Sequence, residues 1–242
     1  MSLRDDALEM HRENQGKLEI TPNVKVTNKQ QLSLAYSPGV AEPCKEIHED
    51  SRKVYEYTIK GNTVAVVTDG TAVLGLGNIG AEASIPVMEG KAALFKSFAG
   101  INGVPIALDT TDTQEIIKTV KLIAPNYGGI NLEDISAPRC FEIEETLKKE
   151  TNIPIFHDDQ HGTAIVTMAG LINALKIVDK ELTNIKVVLN GSGAAGIAIV
   201  KLLHAYGVNN MIMCDSKGAI YSGRNFGMND TKTYVAKWTN KD

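Results

Sequence analysis

From residue 63 onward, short apolar runs alternate with longer amphipathic stretches, and this rhythm predicts strands alternating with helices. Residues 63–69 (TVAVVTD) form a β-branched run that ends in a turn signal, as a buried strand does. Residues 85–100 (IPVMEGKAALFKSFAG) predict a helix and 104–109 (VPIALD) a second strand. Asp112 and Glu115 have capping-box spacing at the head of a helix that Pro125 stops, with Ile116, Val120 and Ile123 on one face. Residues 127–134 (YGGINLED) and 153–159 (IPIFHDD) predict two more strands. The helix between them is capped by Ser136 and carries Cys140, Ile143 and Leu147 on one side. Residues 161–177 are apolar nearly all round, which predicts a helix buried between two layers or two domains. Residues 184–207 read as strand, glycine loop and helix, and 209–215 (NNMIMCD) as a further strand. Residues 1–62 are polar and mostly helical in pattern, with turn signals at Thr21-Pro22-Asn23 and Ser37-Pro38-Gly39.

Regular strand–helix alternation implies an α/β protein with parallel sheets covered by helices. A boundary near residue 160 divides it into an N-terminal domain (1–160) with a parallel sheet and a second unit (161–242). The length of 242 residues agrees, at about 1.6 domains for ~150 residues each. Hydrophobic residues at 43% and charged residues at 22% mark a globular chain. A net charge of −4 argues against nucleic-acid or anionic-membrane partners. Cys44, Cys140 and Cys214 form no CxxC pair, no apolar run approaches the ~18 residues of a membrane span, and the N-terminus is charged. A cytoplasmic protein is expected.

GxGxxG occurs twice, at Gly75-x-Gly77-x-x-Gly80 and Gly191-x-Gly193-x-x-Gly196. A dinucleotide loop needs its first glycine directly off a strand, a second where the backbone nears the pyrophosphate, and a helix N-terminus behind it. At the second site KVVLN runs straight into Gly191, and Asp215 ends the next apolar strand, where it could hydrogen-bond a ribose hydroxyl. The loop Gly191-Ser192-Gly193-Ala194 with Gly196 is therefore the candidate nicotinamide-dinucleotide site. At the first site about six residues separate strand and loop. That loop suits a turn or the lining of another ligand.

Glu133-Asp134 and Asp158-Asp159 lie at predicted strand C-termini, where ligands of open parallel sheets bind. One such Asp alone is more often a helix cap, but two acidic pairs suggest a hard divalent cation, Mg²⁺ or Mn²⁺. His157 and His161 raise zinc as an alternative, weakened because their spacing spans a strand-to-helix junction. In the helix over 85–99, Val87, Lys91, Phe95 and Phe98 share a stripe. A lysine there snorkels, pairs with a carboxylate, or has a lowered pKa and acts as a base. Beside the glycine loop and the acids, catalysis is the better reading. Tyr36, at a rigid turn, is placed to present its hydroxyl or simply to pack.

Together these residues resemble malic enzymes, particularly the shorter bacterial type. The stretches that carry the resemblance are AYSPGVAEPC (35–44), VTDGTAVLGLGNIG (67–80), PVMEGKAALFKSFAG (86–100), NLEDISAPRCFEIE (131–144), IPIFHDDQHGTAIV (153–166) and VVLNGSGAAGIAIVKLL (187–203). The resemblance implies Tyr36 as general acid, Lys91 as general base, Asp158 in the substrate site, and Glu133, Asp134 and Asp159 as ligands of Mn²⁺ or Mg²⁺. Gly191, Ser192, Gly193, Ala194, Gly196 and Asp215 would hold NAD or NADP. It further implies oxidative decarboxylation of malate to pyruvate: Lys91 takes the hydroxyl proton during hydride transfer, and Tyr36 protonates the enolpyruvate carbon. Homodimers are a family feature, with Tyr36 and Lys91 drawn from different subunits in short forms.

Two departures stand out. Ala72 replaces a substrate-carboxylate Arg of longer members, so another group anchors malate, and Asn78 replaces an acid common in that loop. Asp215 favours NAD by repelling a 2′-phosphate, whereas Lys217 could attract one. A redox-neutral decarboxylase releasing lactate and a non-catalytic ligand-binding chain are the rival readings. After residue 183 only the first third of a Rossmann-type domain is expected, so the chain reads as truncated within its NAD(P)-binding domain.

Overall fold

The computed structural model describes residues 2–240. Four helices precede the first strand: α1 (Leu3–Asn14), α2 (Lys29–Ala35), α3 (Ala41–Glu49) and α4 (Val54–Tyr57). There follow β1 (Thr63–Thr68), α5 (Gly80–Ala99), β2 (Asn102–Ala107), α6 (Thr113–Ile123), β3 (Gly129–Leu132), α7 (Arg139–Glu150) and β4 (Ile155–His157). These strands form one parallel sheet in the order β2-β1-β3-β4. After α8 (Asp158–Ile177) come β5 (Lys186–Asn190), α9 (Ala194–Ala205), β6 (Asn210–Asp215), β7 (Gly218–Ala219) and α10 (Asp230–Val235). β5 and β6 pair in parallel, and β7 turns back antiparallel on β6. The α/β expectation therefore holds, with a four-stranded parallel sheet followed by the opening strands of a second. No helix among the described residues is long and apolar enough to cross a membrane.

The core of the first sheet lies under β1 and β3, where Ala65, Val67, Ile130 and Leu132 meet Ile116 and Val120 of α6 and Cys140, Ile143 and Leu147 of α7. Asp112 caps α6 by accepting the backbone N–H groups of Gln114 and Glu115, each at 2.8 Å. The same apolar cluster runs on through Met168 of α8 to Ile197, Val200 and Leu203 of α9.

Four local expectations change. α7 starts at Arg139 and has no side-chain cap; Ser136 turns its hydroxyl to the Arg139 guanidinium at 3.0 Å instead. α5 begins at Gly80, so Pro86 lies inside it rather than at its head. The buried face of α5 is Ser84, Met88 and Ala92; Val87 and Phe98 are exposed, so Lys91 borders the core face instead of interrupting it. Ala92 belongs on that face because β2 comes very close there: a Cβ on Gly103 would lie 2.6 Å from Ala92 Cα. Finally, α8 buries only Gln160, Ala164, Met168 and Leu175, leaving Ile165, Val166, Ile172 and Ile177 exposed. One of its sides packs on the chain and the opposite side does not.

The contact between Gly103 and Ala92 fixes α5, and with it Lys91, against the sheet. Gly103→Val is expected to destabilise the fold by about 1–3 kcal/mol through overpacking, read as a lowered urea midpoint. An unchanged midpoint would show that α5 can step away from β2 freely.

Candidate active site

The in-register pairing of Leu132 with His157 ends β3 and β4 level with each other. Beyond them come Glu133-Asp134 and, in the first turn of α8, Asp158-Asp159. Asp134 adopts a left-handed backbone (φ 54°), its N–H donates to Asp159 Oδ2 at 2.9 Å, and its carbonyl accepts from Ala72 N at 2.9 Å. Glu133 Oε2 accepts from Asn131 Nδ2 at 2.7 Å. One oxygen each from Glu133, Asp134 and Asp159 gathers within 4.8 Å. From α5, Lys91 Nζ reaches Glu133 Oε1 at 3.1 Å and Asp158 Oδ2 at 2.8 Å. The residues expected at 91, 133, 134, 158 and 159 thus converge on one place.

Four carboxylates here face a single ammonium, so the cluster is short of positive charge. Burial lifts the pKa of Glu133 to about 7, against the pull of Lys91 and Asn131. Burial and the neighbouring Asp159 lift Asp134 to about 6. Asp159 is also pushed up by burial, but the His157 ring and the Asp134 N–H outweigh that and hold it below the ordinary value. An all-oxygen set of three crowded, partly dehydrated carboxylates fits a hard divalent cation, since ionising them together needs compensating charge. For Lys91, desolvation lowers the pKa, yet Asp158 and Glu133 together raise it above the ordinary lysine value. Of the three fates open to that lysine, the structure shows the paired one.

The histidines have other duties than joint ligation. The buried His157 ring lies 3.1 Å from Asp159 Oδ2 without good hydrogen-bond alignment, while His161 Nε2 sits 2.8 Å from Glu144 Oε2. Tyr36 stands apart. It is 69% exposed at the end of α2, and none of its hydrogen bonds reaches Lys91 or the acids.

In the second unit, β5 runs straight into Gly191 (φ 133°), and α9 starts at Ala194 behind a Gly193 that supplies no side-chain cap. A Cβ on Gly196 would stand 2.0 Å from the Gly191 carbonyl oxygen, so helix and loop touch backbone to backbone. Gly193 has open space where a Cβ would go, and the first N–H groups of α9 have no side-chain cap, which leaves them free for an anion such as a pyrophosphate. The arrangement fits a dinucleotide. The 75–80 loop does something else: Gly75, Gly77 and Gly80 all take positive φ, and Val73 pairs with Gly77 in a tight turn that carries Leu74 and Leu76 exposed.

Asp215 ends β6 as expected, but two cations hold it. Arg224 Nη2 donates to both carboxylate oxygens at 3.0 and 2.9 Å, and Lys232 Nζ donates at 2.8 Å. With Lys232 as the largest influence, its pKa is held far below the usual carboxylate range. The repulsion that Asp215 alone would exert on a 2′-phosphate is thereby cancelled from within.

Residues 15–148 match the family model described as "Malic enzyme, N-terminal domain", more than half of the chain. The chain belongs to the malic enzyme family. Residues 160–240 match the malic enzyme NAD binding domain. Over all 242 residues the chain is 71% identical to the bifunctional malic/malolactic enzyme of Bacillus subtilis (strain 168), of which it covers 59%. It is 61% identical over 227 residues, 94% of its length, to the NAD-dependent malic enzyme of Geobacillus stearothermophilus, covering 47% of that protein. The crystal structure of an NAD-dependent malic enzyme from Thermotoga maritima superposes with a TM-score of 0.94 at 49% identity, covering 98% of this chain and 63% of that one. The chain thus spans roughly half to three-fifths of the length of these malic enzymes.

Several residues that shape this candidate site escaped the sequence reading. The Arg139 guanidinium is committed to the fully buried Asp69 at 2.8 Å and also donates to Thr71, Ser136 and the Thr111 carbonyl, tying the loop after β1 to the loop after β3. It is not free to replace the Arg that Ala72 lacks. Gly162 lies one turn after Asp158, and a Cβ there would meet Asp158 Oδ1 at 2.4 Å, so only glycine lets that carboxylate lie back on α8. A glycine inside an otherwise strong helical run was the available signal.

Glu144 of α7 is the third. Burial raises its pKa, but hydrogen bonds from His161 and Lys148 prevail and bring it from 4.5 to about 2. A depressed carboxylate pKa stabilises the fold fully above the ordinary value, and that contribution is lost as pH falls through the depressed one. The stability gap between wild type and Glu144→Gln is therefore expected to narrow below pH 4.5, by about 3 kcal/mol towards pH 2. Urea titrations at stepped pH measure it, and a gap independent of pH would show that the carboxylate charge contributes nothing.

Proposed function

We propose that this chain forms the substrate- and metal-binding domain (residues 1–160) and the start of the NAD(P)-binding domain (161–242) of an enzyme that converts (S)-malate to pyruvate and CO₂ while reducing NAD or NADP. The observation that carries this reading is Lys91 bridging Glu133 and Asp158 beside the three-carboxylate cluster at the ends of β3 and β4. Glu133, Asp134 and Asp159 would hold Mg²⁺ or Mn²⁺, which when bound supplies Lewis-acid polarisation of the substrate oxygen. Lys91 is the base for the malate hydroxyl. Glu133 and Asp158 keep it protonated, and it becomes basic as their charge is compensated. Asp158 fixes the position of Nζ, and Gly162 leaves room for Asp158 to do so.

Gly191, Ser192, Gly193, Ala194 and Gly196 would receive the pyrophosphate, and Asp215 with its two cations the ribose. Tyr36 is the proton donor to the enolpyruvate carbon. Its exposure, and the lack of any hydrogen bond from it to Lys91 or the acids, support a homodimer in which a second copy supplies it. The reading places the enzyme in the cytoplasm, where free Cys44, Cys140 and Cys214 stay reduced. A second reading, redox-neutral decarboxylation to lactate, is favoured by one observation: the Bacillus subtilis relative at 71% identity is named a bifunctional malic/malolactic enzyme.

Incubation of the full-length protein with malate, Mn²⁺ and either nucleotide is expected to raise the absorbance of reduced nicotinamide and to yield pyruvate. Lactate without net reduction would select the second reading, and no malate consumption with either nucleotide would refute both. Lys91→Ala is expected to lower kcat at least ~100-fold with the fold intact, the scale of losing a general base. Near-wild-type turnover would return Lys91 to a purely structural ion pair.

A further inference from the structure

Asp158 and Asp159 sit on the turn where β4 becomes α8, and a residue outside the acidic cluster grips that turn from behind. Glu144 is 3% exposed. Its Oε1 accepts the His157 backbone N–H at 3.0 Å and lies 2.8 Å from Lys148 Nζ. Its Oε2 accepts from Gln160 Nε2 at 3.2 Å and lies 2.8 Å from His161 Nε2. Three of these four partners belong to the turn itself. His157 is the N-cap residue of α8, and its side chain caps nothing. In a capping box the N3 side chain reaches back to the N-cap N–H. Here the N3 residue, Gln160, reaches Glu144 instead, and Glu144 takes the N-cap N–H. A carboxylate at this end of a 20-residue helix also meets the positive pole of its dipole.

We propose that Glu144 is a positioning residue for the cation site, clamping residues 157–161 so that Asp159 faces Glu133 and Asp134 while Asp158 faces Lys91. This rests on the reading that Glu133, Asp134 and Asp159 hold a divalent cation. Gln at position 144 keeps the volume but sets an amide NH₂ against one pair of donors, so the turn must shift or lose a bond.

The test is Mn²⁺ titration of the full-length protein, followed by the electron paramagnetic resonance of free Mn²⁺, with no turnover required. Glu144→Gln is expected to weaken Mn²⁺ binding ~10-fold or more, the scale of residues that orient metal ligands. Val120→Ala, a core truncation in α6 that lowers stability without touching the turn, is expected to leave the affinity unchanged. Wild-type affinity in Glu144→Gln, or an equal loss in Val120→Ala, overturns the proposal. If circular dichroism shows Glu144→Gln unfolded, Gln160→Leu replaces it: a weakening of a few-fold upholds the clamp and no change overturns it. Wild-type protein that binds no Mn²⁺, or Asp159→Asn that binds it equally well, overturns the cation-site reading instead.

Discussion

Carboxylates drawn out of water beside one another must be compensated locally or give up their charge, and the surroundings of residues 133–134 and 158–159 are organised by that demand. Three of the four acids, Glu133, Asp158 and Asp159, are met by groups delivered from different elements. Lys91 comes from α5, the amide of Asn131 from β3, and the Asp134 N–H from a left-handed turn that Ala72 secures from the loop after β1. Arg139 then welds that loop to its neighbour through the buried Asp69. The placement of α5 matters to the same end, because the close approach of Ala92 to Gly103 sets how far Lys91 can reach. Folding and charge compensation are one problem here: no single element could be moved without stranding a charge.

The two glycine-rich loops show why a motif needs its setting. Both read GxGxxG, yet only the second joins a strand directly to a helix whose first N–H groups stay open. Its Gly196 is required by contact with the Gly191 carbonyl, a packing reason, while Gly193 leaves space on the open side. In the first loop the glycines serve left-handed turns around the Val73–Gly77 bridge. The strand-end acid of the second unit is equally contextual, since Arg224 and Lys232 convert Asp215 from a lone negative charge into the centre of a net-positive group.

What the sequence disclosed follows from the range of the forces involved. β-branched runs such as residues 63–68, the Asp112 cap, and the spacing of Cys140, Ile143 and Leu147 are local patterns, and the fold respects them. The candidate acids were legible because strand C-termini in a parallel sheet share an edge, so four residues at two such ends must meet. Glu144, the Asp69–Arg139 pair and Arg224 were not, because each acts through partners remote in sequence or in a loop without periodicity. On α5 two stripes compete, and the one at Ser84, Met88 and Ala92 prevails over the one through Val87 and Phe98, with Gly103 of β2 making room for Ala92. On α8 composition suggested full burial, but Ile165, Val166, Ile172 and Ile177 stay exposed among the described residues.

That helix carries one more meaning. Its first two residues are Asp158 and Asp159, and its body packs on α9, the helix that follows the second glycine loop. Twenty residues of unbroken helix make a strut about 30 Å long, stiff enough to act as a lever. The strand-end carboxylates and the helix behind the second glycine loop are therefore seated on one continuous rod, with no flexible link between the two seats.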